Sequence, residues 1–312
     1  MTLASIFGTN LFHYQPDGVV EFHDSYPAVR ESFARAAEWT GIDEEALLYQ
    51  KGDYDQDERV RVASIGLAAA QLGIQDVLVA QGLRPHVVGG LSLGGLVSSC
   101  VAGAIDRREL MELLATGEHK ADVDLDRPQT IAAAYLPLDV DPYEYADRDG
   151  IYLSSDFGCD ASGRIRIVLL SGFRDALERL AAEEPDGMIN ITEGVDIAVH
   201  SPLRERARVA SRPRIDAIRF ADPGLTLCSC LERRTVKTAD EVREMFVDNV
   251  VKPISLVHLS EEMRHHGTRL GIVVGPSPVM NALRYPFPVV FVDSPAGIPQ
   301  TVAAIFEHGI QL

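Results

Sequence analysis

Apolar positions along this chain fall into short unbroken runs and longer helical repeats, and their order defines the architecture. Residues 3–8 (LASIFG) form an apolar run ending in glycine, the pattern of a buried first strand. Residues 26–39 and 43–49 carry helical patterns. Residues 59–83 carry a long one, rich in alanine and leucine, with apolar positions about 3.6 residues apart. RPHVVGGLSLGG then reads as strand and turn, followed by helices over 93–104 and 107–117.

The character changes near residue 125. Residues 131–137, 150–155 and 164–170 read as strands, and 172–183 as an amphipathic helix. Short strands over 187–191 and 195–199 (VDIAV) lead to His200. Beyond it LRERARVA is helical, LTLCSC is a strand, and TADEVREMFVDNVV is a helix with Thr238 as its N-cap. Residues 256–266 are helical, RLGIVVG is a strand, SPVMNAL starts a helix and PVVFVD is a last strand. This order predicts an α/β fold: a large domain with a mainly parallel sheet, residues 1–124 and 198–312, and a small α+β subdomain inserted at 125–197.

Composition narrows the class. The 312 residues, 46% hydrophobic and 24% charged, suit a globular protein with a sizeable core. The start MTLASIFGTNLFHYQ lacks the basic and apolar regions of a signal peptide, and no run of about 18 apolar residues is present. A cytoplasmic protein without a membrane partner is expected. Cys100, Cys159, Cys228 and Cys230 lack zinc-site spacing and read as free thiols. The net charge of −17 argues against a nucleic-acid partner. Against that background, residues 204–219 hold six arginines and two acids, a solvated face or a local patch for an acidic partner.

The chemistry centres on GLSLG, Gly90 to Gly94. Gly-x-Ser-x-Gly between a strand and a helix is a nucleophile elbow: a strained turn projects the Ser92 hydroxyl at a helix N-terminus, where backbone N–H groups favour developing negative charge. A serine needs a base. His200, at the end of VDIAV, and His308, near the C-terminus, are the two candidates by position. His86, His258, His265 and His266 read as structural or surface residues.

The co-ordered segments SIFGTN, GLSLGG, AVHSPL, NVVKPISL and VVGPSPVMNAL resemble the malonyl-CoA:acyl carrier protein transacylase family and the acyltransferase domains of polyketide and fatty acid synthases. The resemblance covers nearly the whole chain. It implies an α/β-hydrolase-like large domain and a ferredoxin-like subdomain. It further implies Ser92 as acyl-carrying nucleophile, His200 as general base, and the Asn249 carbonyl as the group orienting His200. The Leu93 N–H would form half of an oxyanion hole. Implied partners are an acyl carrier protein and acyl-CoA, with the thioester as substrate and no further cofactor or metal. Arg204, Arg206 and Arg208 are the expected carrier-docking residues.

Departures from the family pattern point to the acyl group. The histidine before the nucleophile is Leu91, and the glutamine loop FPGQGSQ becomes FGTNLF, leaving Thr9 and Asn10 beside the site. The arginine that pairs with a malonyl carboxylate is replaced by Thr116. An unpaired, partly desolvated carboxylate is costly. The expectation is therefore transfer of an uncharged or bulky acyl group in polyketide-type biosynthesis, unless Arg166 or Arg204 supplies the cation. Two alternatives remain: a hydrolase that clears stalled acyl groups, and a binding protein that has kept the fold.

Overall fold

The computed structural model describes residues 2–9, 16–116, 127–146, 148 and 150–310. Strand β1 (Thr2–Phe7) leads to helices α1 (Asp17–Ser25), α2 (Pro27–Thr40), α3 (Glu44–Tyr49) and α4 (Gln56–Ala80). β2 (Val87–Gly90) runs into α5 (Leu93–Val101) and α6 (Arg107–Ala115). Next come β3 (Gln129–Pro137), β4 (Ile151–Cys159), β5 (Ile165–Phe173), α7 (Arg174–Glu183) and β6 (Ile189–Ile191). The chain returns through α8 (Glu205–Ala217), β7 (Thr226–Cys228), β8 (Thr235–Val236) and α9 (Ala239–Asp248). It ends with β9 (Ile254–Ser255), α10 (Leu256–His265), β10 (Thr268–Val274), β11 (Val289–Val292) and α11 (Gly297–Glu307).

The larger sheet has the order β11-β10-β1-β2-β7-β8. Its pairs are parallel except β7–β8. Phe7 stands level with Gly90 of β2 and Val274 of β10. The C-terminal ends of three parallel strands therefore converge, the usual place for a site in an open α/β sheet. Helix α4 begins with a capping box between Asp55 and Glu58. It is apolar on nearly every side, with Leu67, Leu72, Ile74 and Leu78 fully buried against the sheet. It meets the length and composition of a membrane span, yet 83% of that apolar window lies inside the fold. A bidentate pair from Arg107 to Asp76, at 2.6 and 2.7 Å, ties α6 to it.

The smaller sheet has the order β6-β3-β5-β4-β9. Its first four strands stand in the ferredoxin-like order, with a 3-10 turn at Pro142–Glu144 where the first crossover helix would lie. Helix α7 covers one face through Ala176, Leu177 and Leu180. On the other face Phe157 and Leu169 join Leu91, Cys230 and Met280 of the large unit in one apolar cluster. The sheet also recruits β9, parallel to β4, so it draws on a strand well beyond residue 197.

Three local differences from the sequence reading stand out. VDIAV is not a strand. SPVMNAL forms only a 3-10 turn at Met280–Ala282, because Pro276 and Pro278 favour extended backbone before them. The helices α1 and α11 lie where no helix was expected.

Candidate active site

The elbow is built by close backbone approach. Leu91 N–H donates to the Phe7 carbonyl at 2.9 Å, so the turn begins level with the end of β1. A Cβ on Gly94 would fall 2.1 Å from the Phe7 oxygen, and one on Gly90 would fall 2.4 Å from the Gly94 carbonyl carbon. Both glycines are required by contact. Between them Ser92 has φ +52° and ψ −114°, a conformation a non-glycine residue holds only under constraint. Ser92 is the N-cap of α5, and Leu93 opens the helix. The Leu93 N–H is among those a helix leaves without an internal partner.

His200 arrives by a different construction. In place of a strand ladder, side chains from the smaller sheet hold the segment before it. Thr130 Oγ1 donates to the Val195 carbonyl at 2.8 Å, and Gln129 Oε1 accepts from Ala198 N–H at 3.1 Å. Ser171 Oγ donates to the Val199 carbonyl at 2.6 Å. Ser201 Oγ closes the turn onto the Ala198 carbonyl at 2.7 Å. His200 also has φ +52°. Of the three non-glycine residues with positive φ among the described residues, two are Ser92 and His200. Backbone strain is thus concentrated at this pair.

The two side chains meet: His200 Nε2 lies 2.9 Å from Ser92 Oγ. His200 is 9% exposed, and Ser92 is half-buried. The imidazole is pushed down to about 4, chiefly by burial; the Arg204 charge acts in the same direction, against the opposing pull of the Asn249 and Lys252 carbonyls. The ring is therefore neutral at pH 7 and able to accept the serine proton. The Asn249 carbonyl, expected to orient the ring, favours the protonated imidazole together with that of Lys252. Neither meets hydrogen-bond geometry at Nδ1, which is buried without a partner. Nothing in the sequence pointed to Lys252, because a backbone carbonyl leaves no mark there.

The other expected site residues are distributed differently. Thr9 is half-buried, two residues beyond the β1 end, while Asn10 lies outside the described residues. The Leu91 side chain, 1% exposed, is packed into the inter-sheet cluster with Cys230 and Phe157 and is not an open pocket wall. An apolar side chain at this position joins the core where an imidazole would stay polar. Thr116 is exposed and bonds its hydroxyl to the Glu112 and Leu113 carbonyls, at 3.0 and 3.2 Å. It lines a surface cavity with Glu109, Leu113 and Arg214 that includes neither Ser92 nor His200. Arg166 is held bidentately by Asp156, at 2.7 and 3.2 Å.

The arginine cluster is not a uniform basic patch. Arg204 is 6% exposed and cannot meet a docking partner; its place in the turn after His200 turns it inward, where its charge reaches the imidazole. Arg208 is paired with Glu205 at 2.6 Å, and Arg212 with Asp216 and Glu244 at 3.0 and 2.8 Å. Arg206 is exposed and forms no ion pair among the described residues. The four cysteines are free. Cys230 is buried behind the elbow; burial pushes its thiol up to about 11, against the pull of the Ser92 N–H. Among the described residues no group of three or more His, Cys, Asp or Glu is arranged to hold a metal.

A buried histidine hydrogen-bonded to a strained serine, at the strand ends of a parallel α/β sheet, is the arrangement that serine-dependent group transfer requires. The sequence matches the family described as acyl transferase domain over residues 21–285; the chain belongs to that family and is an acyltransferase. It is 23% identical over 275 residues to the malonyl CoA-acyl carrier protein transacylase of Haemophilus influenzae, covering 83% of each chain. It is 26% identical over 215 residues to 5-methyl-1-naphthoate synthase of Streptomyces sahachiroi, covering 68% of this chain and 12% of that one. Its fold matches an acyl-carrier-protein S-malonyltransferase of Burkholderia pseudomallei with TM-score 0.84 at 19% identity, over 97% of this chain and 100% of that one. It also matches a malonyl-transacylase in complex with a type II polyketide synthase acyl-carrier protein, with TM-score 0.81 at 17% identity, over 97% and 100%.

Proposed function

We propose that Ser92 carries the acyl group of a thioester and passes it to a carrier protein or hydroxyl acceptor in polyketide-type biosynthesis. The observation that carries this reading is the 2.9 Å contact between His200 Nε2 and Ser92 Oγ, with both residues in strained backbone. Ser92 Oγ attacks the thioester carbonyl as its proton moves to His200 Nε2. The negative charge on the carbonyl oxygen is met by the Leu93 N–H and a second donor from the segment after Gly8. Collapse expels the thiolate, which takes the proton from His200 and leaves the acyl-Ser92 ester. The acceptor thiol or hydroxyl then gives its proton to His200, attacks the ester and restores Ser92. Ping-pong kinetics follow.

The acyl group in this proposal is not malonyl. Thr116 is turned onto its own helix, and Arg166 is held by Asp156. Arg204 is already engaged by other groups of the chain. No arginine fork is thereby offered to an acyl carboxylate from these positions. The named relatives that transfer malonyl favour the opposite specificity, and one experiment separates the two. The enzyme is incubated with malonyl-CoA and with uncharged acyl-CoA thioesters of increasing bulk, and the protein adduct is followed by intact mass. Faster labelling by an uncharged group is expected. Equal or faster labelling by malonyl-CoA would overturn the specificity and leave the serine–histidine reading intact.

The partner in this proposal is an acidic acyl carrier protein. The docking surface reduces to the exposed end of α8 around Arg206, since Arg204 is buried and Arg208 is neutralised by Glu205. Burial of His200 favours transfer over hydrolysis, because it limits the approach of water to the base. Release of free acid without acceptor would instead indicate the hydrolase.

A further inference from the structure

Helix α4 carries two glutamines in the midst of its apolar core. Gln71 is 0% exposed and Gln75 is 2% exposed, one turn apart on one side of the helix. A buried amide without full partners destabilises a fold, so its retention needs a reason. The two side chains differ in what they reach. Gln71 Nε2 donates to the Gly8 carbonyl at 3.1 Å, while its Oε1 has no partner. Gln75 has a partner on neither amide atom.

Gly8 is the first residue after β1 and is held from three sides. Its carbonyl is fixed by Gln71. A Cβ added to it would lie 2.0 Å from Ser277 Oγ and 3.2 Å from Met280 Sδ, so only glycine fits against the turn after β10. Its carbonyl oxygen also lies against the elbow, 2.8 Å from where a Gly94 Cβ would be. In a trans peptide the C=O and the next N–H point opposite ways. Drawing the Gly8 carbonyl toward α4 therefore aims the Thr9 N–H away from that helix.

We infer that Gln71 is a positioning residue for acyl transfer: it fixes the Gly8–Thr9 peptide so that the Thr9 N–H is presented as the second oxyanion donor. This rests on the proposed role of Ser92. The orphaned Oε1 of Gln71 is the cost of holding a backbone carbonyl next to the elbow, and Gln75 performs no such task.

Gln71→Met and Gln75→Met test this as a pair, since methionine keeps the length of the side chain and removes its hydrogen-bonding groups. Gln71→Met is expected to slow acylation of Ser92 by about 10- to 100-fold in kcat with KM nearly unchanged. It should also speed amide hydrogen exchange in the peptide spanning residues 2–9. Gln75→Met is expected to leave both unchanged and to raise Tm. Wild-type acylation rates and exchange in Gln71→Met, or equal slowing in Gln75→Met, would overturn the inference. If the wild-type protein takes no acyl group from any thioester, the reading of Ser92 fails. The exchange comparison still decides whether Gln71 holds Gly8: equal exchange in the two variants overturns that hold.

Discussion

The two halves of the Ser92–His200 pair are held by different physics. Ser92 is placed by backbone against backbone: Gly90 and Gly94 let β2 and α5 close on Phe7 with no room for a Cβ. His200 is placed by side chains of another unit, through Gln129, Thr130 and Ser171 reaching across from β3 and β5. The first device is all-or-none and the second is graded. A steric contact with a peptide group cannot be relieved by a rotamer change, whereas a segment held by several hydrogen bonds survives the loss of one.

Gly94→Ala should therefore have the largest effect on the fold, since its Cβ would meet the Phe7 oxygen at 2.1 Å. A loss of about 3 kcal/mol or more in chemical denaturation is expected. Gly95→Ala, with its nearest contact at 3.3 Å from the Gly90 oxygen, should cost much less. A Gly94→Ala protein as stable as wild type would show that the elbow is not sterically locked.

Next in size is the pH dependence of the base. Burial and the Arg204 charge both hold the His200 imidazole down, near 4, so kcat/KM should keep its plateau well below the ordinary histidine value of about 6.5. Arg204→Gln removes a charge that opposes protonation, so the acidic limb should move to higher pH. A limb that stays in place would mean Arg204 does not act on the ring. The sign for stability is the same: the unfolded chain binds this proton first, so the contribution of His200 is present above about 6.5 and is lost as pH falls toward 4. The smallest effect belongs to Ser171→Ala, which removes one of the bonds holding the His200 segment. About 1 kcal/mol of stability and a several-fold loss of kcat are expected, measured by denaturation and steady-state kinetics. A loss as large as that of removing His200 itself would show that this segment is also all-or-none.

The same contrast explains what the sequence made legible. Strand, glycine turn and helix around Ser92 were readable because the steric demand is written in residue type: GLSLG admits little else. The parallel sheet was readable because its strands are continuous apolar runs between helical repeats. The path to His200 was misread as a strand, because alternating apolar residues in VDIAV satisfy a period of two while their backbone partners are side chains far away in sequence. Arg204 was open in the sequence to a docking or a pocket role because charge composition carries no information on direction; only the turn at Pro202–Arg204 sends it inward. Leu91 was readable as a departure but not as a core residue, because the opposing Phe157 and Leu169 come from the other sheet. Gln71 was hidden within a helix whose overall pattern is apolar.

In the proposed function Ser92 and His200 act as one acylating pair. Intact-mass analysis of wild type, Ser92→Ala and His200→Ala after brief exposure to an acyl-CoA that labels the wild type tests it most directly. One acyl group per wild-type chain is expected, none on Ser92→Ala, and labelling of His200→Ala slower by about 10²- to 10⁴-fold. An adduct of the same mass forming at the wild-type rate on Ser92→Ala, or undiminished labelling of His200→Ala, would contradict it.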